Sequence, residues 1–262
     1  MSLASGSSGN CYYLGTNEYG LLIDAGIGIR TIRKTLKENN IGFEKIIALL
    51  ITHDHADHIK AAGVLGEKYG IPVYTTATIL EGMNRNHCMT EKIYSAGRVI
   101  LKDVEFGLRD FHITAFEVPH DGSDNVGYYV RYGEHEFAFA TDLGHIPDSV
   151  AAYLCRARYL VIEANYDREM LLHGAYPYYL KQRIVHPNGH MCNTATAEFL
   201  AAHCSDRLQY IFLCHLSREN NHPELAYKTV EYRLLQEGIK VGKDVQLVVL
   251  KRHHASDYYE FE

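Results

Sequence analysis

The chain has 262 residues, with 26 Lys+Arg against 32 Asp+Glu and a formal net charge of −6. Hydrophobic residues make up 47% and charged residues 22%, a globular balance that excludes a disordered chain, a collagen-like repeat and a coiled coil. No apolar run approaches the roughly 20 residues that span a bilayer, no secretory signal is visible, and six Cys without a CxxC pair read as reduced thiols, so a cytoplasmic protein with no membrane partner is expected.

The elements follow in chain order. A turn-rich stretch, Ser5-Gly6-Ser7-Ser8-Gly9-Asn10, precedes short strands over 11–14 and 21–24. Residues 29–39 form an amphipathic helix, with Ile29, Ile32 and Leu36 on one face and Arg30, Lys34 and Lys37 on the other. The continuous apolar run 46–52 is a buried strand. Helices over 59–69 and 78–84 flank a strand over 72–75. Strands are expected over 113–118, 125–132, 136–141, 159–164, 210–214 and 245–250. Helices are expected over 147–154, 168–173, 178–184, 193–203 and 224–236. No linker, repeat or charge block divides the chain. Two β-rich halves, each closed by helices, suggest an α+β fold with two packed sheets and helices outside, a four-layer αββα sandwich in a single domain over 1–262.

The strongest chemical signal is His53-Asp54-His55-Ala56-Asp57-His58. It follows the buried strand directly and precedes a helix, so three imidazoles and two carboxylates crowd one turn. Imidazole with carboxylate suits zinc, manganese or iron, and a divalent ion compensates polar groups drawn together in a partly dry site. Asp54 reads as an orienting or solvated group rather than a ligand. His120, Asp142 and His215 each stand just past a predicted strand, as ligands on rigid elements do. Taken singly, His120 also suits a surface loop, Asp142 a helix cap and His215 a core position.

His53, His55, Asp57 and His58 match the HxHxDH signature, and the chain resembles the metallo-β-lactamase superfamily over nearly its whole length. The resemblance implies that His53, His55 and His120 hold one metal, that Asp57, His58 and His215 hold a second, and that Asp142 bridges. All seven positions carry the expected residue types. Iron-based redox members carry a carboxylate where His55 stands, so the site is expected to be hydrolytic. It would use two divalent ions, zinc or manganese, and a metal-bound hydroxide as nucleophile, since two ions roughly 3.5–4 Å apart lower the pKa of a shared water.

Tyr159-Leu-Val-Ile-Glu163-Ala-Asn-Tyr-Asp167 and Asn188-Gly-His190-Met-Cys-Asn193, together with Ser5–Asn10, resemble the YycJ/WalJ-type branch, whose members are discussed as DNA exonucleases. The order Glu, His, last ligand also resembles tRNase Z, where such a pair donates a proton. The resemblance assigns that role to Glu163 and His190, which join Asp57 as the catalytic residues. The long arm of tRNase Z and the insertion of the β-CASP nucleases have no counterpart. Arg168, Lys181, Arg183, His186 and Arg218, interleaved with Tyr166, Tyr176, Tyr178 and Tyr179, suit a nucleic-acid surface and equally an amphipathic helical surface with snorkelling cations. The expected function is therefore a phosphodiesterase or exonuclease-like nuclease acting on nucleic acid, DNA rather than RNA. The alternatives are a small-molecule hydrolase (a cyclic-nucleotide phosphodiesterase or thioesterase) and a metal-binding regulator without turnover.

Overall fold

The structure, a computed structural model, describes residues 1–261. It divides into two compact units. The first contains residues 1–102, 122–125 and the stretch from Lys251; the second contains 103–121 and 126–250.

The first unit is built on a six-stranded sheet in chain order: β1 (Ser2–Gly6), β2 (Gly9–Gly15), β3 (Gly20–Ile23), β4 (Ile46–Leu50), β5 (Val73–Thr75) and β6 (Gly97–Val99). The first three strands form an antiparallel meander, and β3 to β6 run parallel. The C-terminal ends of β3 and β4 therefore leave one edge of the sheet. Tyr12 pairs with Ile23, so the start of β2 lies at that same edge. Asn10, Asp24 and the segment from Thr52 onward emerge together there. Helices α1 (Ile29–Glu38), α2 (Ala56–Ile59) and α3 (Ala77–Arg85) complete the unit. Ile32 and Leu36 of α1 are fully buried, as the amphipathic spacing requires.

The second unit repeats the device. Its seven strands are β7 (Phe106–Leu108), β8 (Phe111–Glu117), β9 (Val126–Tyr132), β10 (His135–Ala140), β11 (Tyr159–Glu163), β12 (Tyr210–Cys214) and β13 (Gln246–Val249). β7 to β10 are antiparallel, and β10 to β13 are parallel. Two antiparallel steps separate β8 from β10, so β8, β10, β11 and β12 all point the same way. Residues just past their ends, His120, Asp142, Ala164 and His215, gather at one edge together with Glu163. Ala138, Ala140, Leu160, Ile162, Ile211 and Leu213 of the central strands pack against Val150 and Leu154 of α4 (Asp148–Leu154). Helices α5 (Arg168–His173), α6 (Tyr178–Val185), α7 (Asn193–His203) and α8 (Pro223–Gln236) follow. α5 and α6 share a small core of their own, with Leu171 and Ile184 packed beside Tyr166 and Cys192.

The α+β class expected from the sequence is borne out. Several elements differ in detail. β1, β6 and β7 were not expected, and the helix expected over 59–69 breaks at Lys60–Ala61, then continues through a π-helical turn over Val64–Lys68. Pro147 sits at the N-cap of α4 rather than inside its first turn.

Gly26 shows how closely the loop after β3 meets α2. A Cβ there would lie 1.6 Å from the Asp57 carbonyl oxygen and 2.8 Å from the His58 nitrogen. Both neighbours are backbone and cannot swing aside. Gly26→Ala should therefore destabilise the protein by about 2–3 kcal/mol, read as a drop in Tm of roughly 5–10 °C. Gly107→Ala, whose Cβ would meet nothing closer than 4.0 Å, is the matched control and should leave Tm unchanged.

Candidate metal centre

In the first unit the HxHxDH residues sit on the connection from β4 into α2. His55 caps the helix, and Asp57 and His58 occupy its first turn. His53 Nε2 and His55 Nδ1 lie 3.1 Å apart. Asp57 Oδ2 and His58 Nε2 lie 3.7 Å apart. Two donors bonded to one ion at about 2.0–2.2 Å are separated by less than about 4.4 Å, so each pair suits a shared ion.

Their ring orientations are fixed from behind. His58 Nδ1–H donates to Asp24 Oδ2 at 2.7 Å. His53 Nδ1–H donates to Thr52 Oγ1 at 3.0 Å, and the Thr52 hydroxyl donates onward to Asp24 at 2.9 Å. The Thr52 N–H also donates to Asp24. Asp24 is fully buried and takes a left-handed backbone, φ 58°. Burial pushes its carboxyl above the ordinary value, against the opposing pull of His58 and Thr52. Asn10, also fully buried, donates from Nδ2 to the Gly6 carbonyl at 3.1 Å and approaches His58 Nε2 at 2.9 Å and Asp57 Oδ2 at 3.4 Å. Asp54 accepts the Ser123 N–H through its side chain and the Asn86 amide through its carbonyl. It therefore positions the 122–125 loop.

In the second unit, His120 Nδ1–H donates to the Gly189 carbonyl at 2.8 Å, and its Nε2 lies 3.7 Å from Asp142 Oδ2. His215 Nδ1 lies 2.8 Å from both Glu163 Oε1 and Asp142 Oδ1. Asp142 thus stands between the two histidines. It caps no helix, since Pro147 holds the cap position of α4. Like Asp24, His215 ends its strand in the left-handed region, φ 54°. The Asn165 amide secures that turn by donating to the His215 carbonyl at 2.8 Å.

Glu163 is fully buried at the end of β11 and collects four donors. The backbone N–H groups of Leu143 and Met191 donate to Oε2 at 3.1 and 3.0 Å, and the rings of His190 and His215 donate to Oε1 at 2.7 and 2.8 Å. Burial pushes its carboxyl up, but the charge of His190 and the hydrogen bonds from His190 and His215 outweigh burial and hold it below the ordinary value. His190 precedes α7, and its side chain is 17% exposed, whereas the His58, His120 and His215 side chains are 0–3% exposed. Ligand atoms of Asp142, His190 and His215 lie within 4.8 Å of one another.

In four rings, His53, His58, His120 and His215, a protein oxygen faces Nδ1. That arrangement sets the tautomer and leaves Nε2 as the ligand atom, the usual outer support of a metal-binding histidine. The donor chemistry therefore fits divalent metal in both units. The sequence had not singled out Asn10, Asp24, Thr52 or Asn165 for this supporting role. Asp24 carried a faint signal as a carboxylate directly after the apolar strand residues 21–23.

Several cations of the strip expected around 168–218 have protein partners. Arg183 is paired with Asp121 through two hydrogen bonds. Lys181 closes the end of α5 by donating to the Leu172 and Gly174 carbonyls. Arg168 donates to Cys192 Sγ, and Tyr166 is buried. Lys181 thus ties α6 to the end of α5, Arg168 ties α5 to the start of α7, and Arg183 ties α6 to the loop after β8. Tyr178 and Tyr179 remain exposed on α6.

Comparison with known proteins agrees with this chemistry. Residues 19–215 match the beta-lactamase superfamily domain. The chain is 36% identical over 249 residues to exodeoxyribonuclease YycJ of Bacillus anthracis, covering 94% of this chain and 92% of that protein. It is 38% identical over 248 residues to exodeoxyribonuclease WalJ of Streptococcus pneumoniae, covering 94% and 91%. Among solved structures, the metallo-beta-lactamase fold protein YhfI of Bacillus subtilis superposes with a TM-score of 0.72 at 18% identity, over 96% of this chain and 95% of that one. With its HxHxDH turn, its buried His and Asp donors and these relatives, the chain belongs to the metallo-β-lactamase superfamily, in the branch that contains YycJ and WalJ.

Proposed function

We propose that the protein is a binuclear metal-dependent deoxyribonuclease that degrades DNA from its ends. The observation that carries this reading is the near full-length identity to two proteins named exodeoxyribonuclease. We assign as the seven ligands His53, His55, Asp57, His58, His120, Asp142 and His215, and take residues 1–262 as one functional domain. The donor set suits zinc or manganese. Bound divalent ions would acidify an attacking water and stabilise negative charge on the phosphate oxygens. A cytoplasmic setting accords with six free cysteines, and none of the helices among the described residues is long and apolar enough to cross a membrane.

The chain's own residues supply the remaining steps. A phosphodiester's leaving alkoxide needs a proton, and the ligand imidazoles are committed to coordination. His190 is held by Glu163 through Nδ1, which orients the ring and leaves Nε2 to carry the transferable proton. Asp57 serves as ligand and fixes the approach of the nucleophile. Tyr178 and Tyr179 offer exposed faces on which bases stack.

Degradation of end-labelled single- and double-stranded DNA and RNA, with manganese or zinc and with chelator, tests the whole reading. DNA shortening that chelator abolishes is expected. Turnover of a thioester without any nuclease activity would overturn it.

Metal content gives a first specific prediction. Reconstituted protein should saturate at two divalent ions per chain by elemental analysis, and Asp142→Ala should lose at least one. Saturation at one ion would end the binuclear reading. For the proton donor, His190→Ala should keep both metals and the fold yet lower kcat on an unactivated diester by roughly 10²–10⁴-fold. A nitrophenyl ester, with its good leaving group, should slow much less, and Glu163→Gln should give a milder form of the same pattern. Equal slowing of both substrates, or loss of metal, would make His190 a ligand or a structural residue. A third prediction concerns charge: KM for DNA should rise with added salt, because phosphate neutralisation releases counterions. A salt-insensitive KM would count against a polynucleotide substrate.

A further inference from the structure

The first unit carries a cationic cluster that the proposed chemistry does not use. After β13 the chain returns along β1. Ser5 N–H donates to the Lys251 carbonyl at 3.1 Å, and Ser256 N–H donates to the Ser2 carbonyl at 2.8 Å. The two segments therefore run antiparallel, with Lys251 beside the β1–β2 turn and Ser256 at the far end of the strand. The returning segment reads Lys251-Arg252-His253-His254-Ala255-Ser256-Asp257. Its cationic half lies by the turn, and its acids, Asp257 and Glu260, lie beyond Ser256. At about 3.3 Å per residue, the length of β1 keeps the acids roughly 15 Å from the turn.

The turn itself is Ser7-Ser8, both exposed. Ser8 Oγ lies 3.3 Å from His253 Nδ1, so the returning segment and the turn are in direct contact. The turn is also tied to the metal ligands of its own unit. Asn10 Oδ1 accepts the Gly6 N–H at 3.0 Å, and Asn10 Nδ2 reaches both the Gly6 carbonyl at 3.1 Å and Asp57 Oδ2 at 3.4 Å. One buried amide therefore fixes the spacing between an exposed, hydroxyl-bearing, cation-flanked turn and two candidate ligands. Serine hydroxyls beside Lys, Arg and His donors are the chemistry that recognises a phosphate group.

We propose that the Ser7-Ser8 turn and residues 251–254 form a subsite for the terminal phosphate monoester of a DNA strand. This rests on the nuclease reading and deepens it. A monoester is dianionic near neutral pH, and beside Lys251 and His253 it is attracted more strongly than a singly charged internal diester is. A subsite at fixed spacing from Asp57 would set how far from the strand end the cut falls.

The test is binding, measured apart from turnover. Chelated protein is titrated by fluorescence anisotropy with one oligodeoxynucleotide sequence in three forms, carrying a 5′-phosphate, a 3′-phosphate or hydroxyls at both ends. One phosphorylated form should bind about tenfold tighter than the hydroxyl form, and which one assigns the strand polarity. Lys251→Ala/His253→Ala should abolish that preference while leaving the hydroxyl form's affinity unchanged. Ser8→Ala, at an exposed turn position that leaves the fold intact, should reduce the preference. Equal binding of all three forms by the unaltered protein overturns the subsite. Equal weakening of all three by the double variant also overturns it, making the cluster a general cationic surface. Strand degradation with manganese is scored separately. Degradation without phosphate-selective binding removes the subsite and keeps the nuclease. Phosphate-selective binding without degradation does the reverse.

Discussion

The second unit depends on one buried carboxylate. Glu163 is removed from water and accepts four hydrogen bonds, from Leu143, Met191, His190 and His215. Those donors come from three separate connections, after β10, before α7 and after β12. A carboxylate buried without partners would be costly. Paired in this way it draws the three connections together, and with them Asp142, His190 and His215. Its backbone carbonyl adds a fourth tie by accepting the Thr196 hydroxyl of α7 at 2.6 Å. Asp24 does the same work in the first unit on a smaller scale, joining β3 to the connection after β4 through Thr52 and His58. In each unit a buried acid behind the ligands orients them, and in each the sheet changes from antiparallel to parallel so that the relevant strand ends share an edge.

Left-handed backbone marks both arrangements. Asp24 and His215 are non-glycine residues with positive φ, each at the end of a strand. Such conformations persist where surrounding bonds fix them, and they concentrate at functional sites. Asp24 is held by Thr52 and His58. His215 is held by Asn165, which belongs to a buried amide network with Asn193 and Asn221. The latter two bond each other reciprocally at 2.9 and 2.8 Å, and Asn221 also donates to the Ala164 and Asn165 carbonyls. The start of α7, which follows His190, is thereby fastened to the loop after β12.

His53, His120, Asp142 and His215 were legible in the sequence because each stands at the end of a mostly apolar run, where a polar side chain interrupts the pattern, and His55, Asp57 and His58 because they crowd the same turn as His53. Long helices such as 193–203 and buried strands such as 210–214 were legible for the same reason. β1 was not: Ser2-Leu3-Ala4-Ser5-Gly6 lacks both β-branched residues and alternation, and it is buried because other segments cover it. β6 and β7, at three residues each, are too short to show a period. The supporting residues Asn10, Thr52 and Asn165 look like ordinary loop polars until the backbone places them behind a ring. The cations of α6 could not be sorted by sequence either, since whether Arg183 meets solvent or Asp121 is decided by tertiary contact.

The segment that returns along β1 also has a protective consequence. β1 is the outermost strand of its sheet, and an outermost strand offers bare N–H and C=O groups to any passing chain. Here Ser2 and Ser5 are already engaged, by Ser256 and Lys251 respectively. A strand with side chains as small as those of Ser2–Gly6 would otherwise be a ready template for intermolecular pairing. The 251–256 segment thus acts as a guard against self-association, and disrupting it would expose the first strand to pairing before the fold had failed.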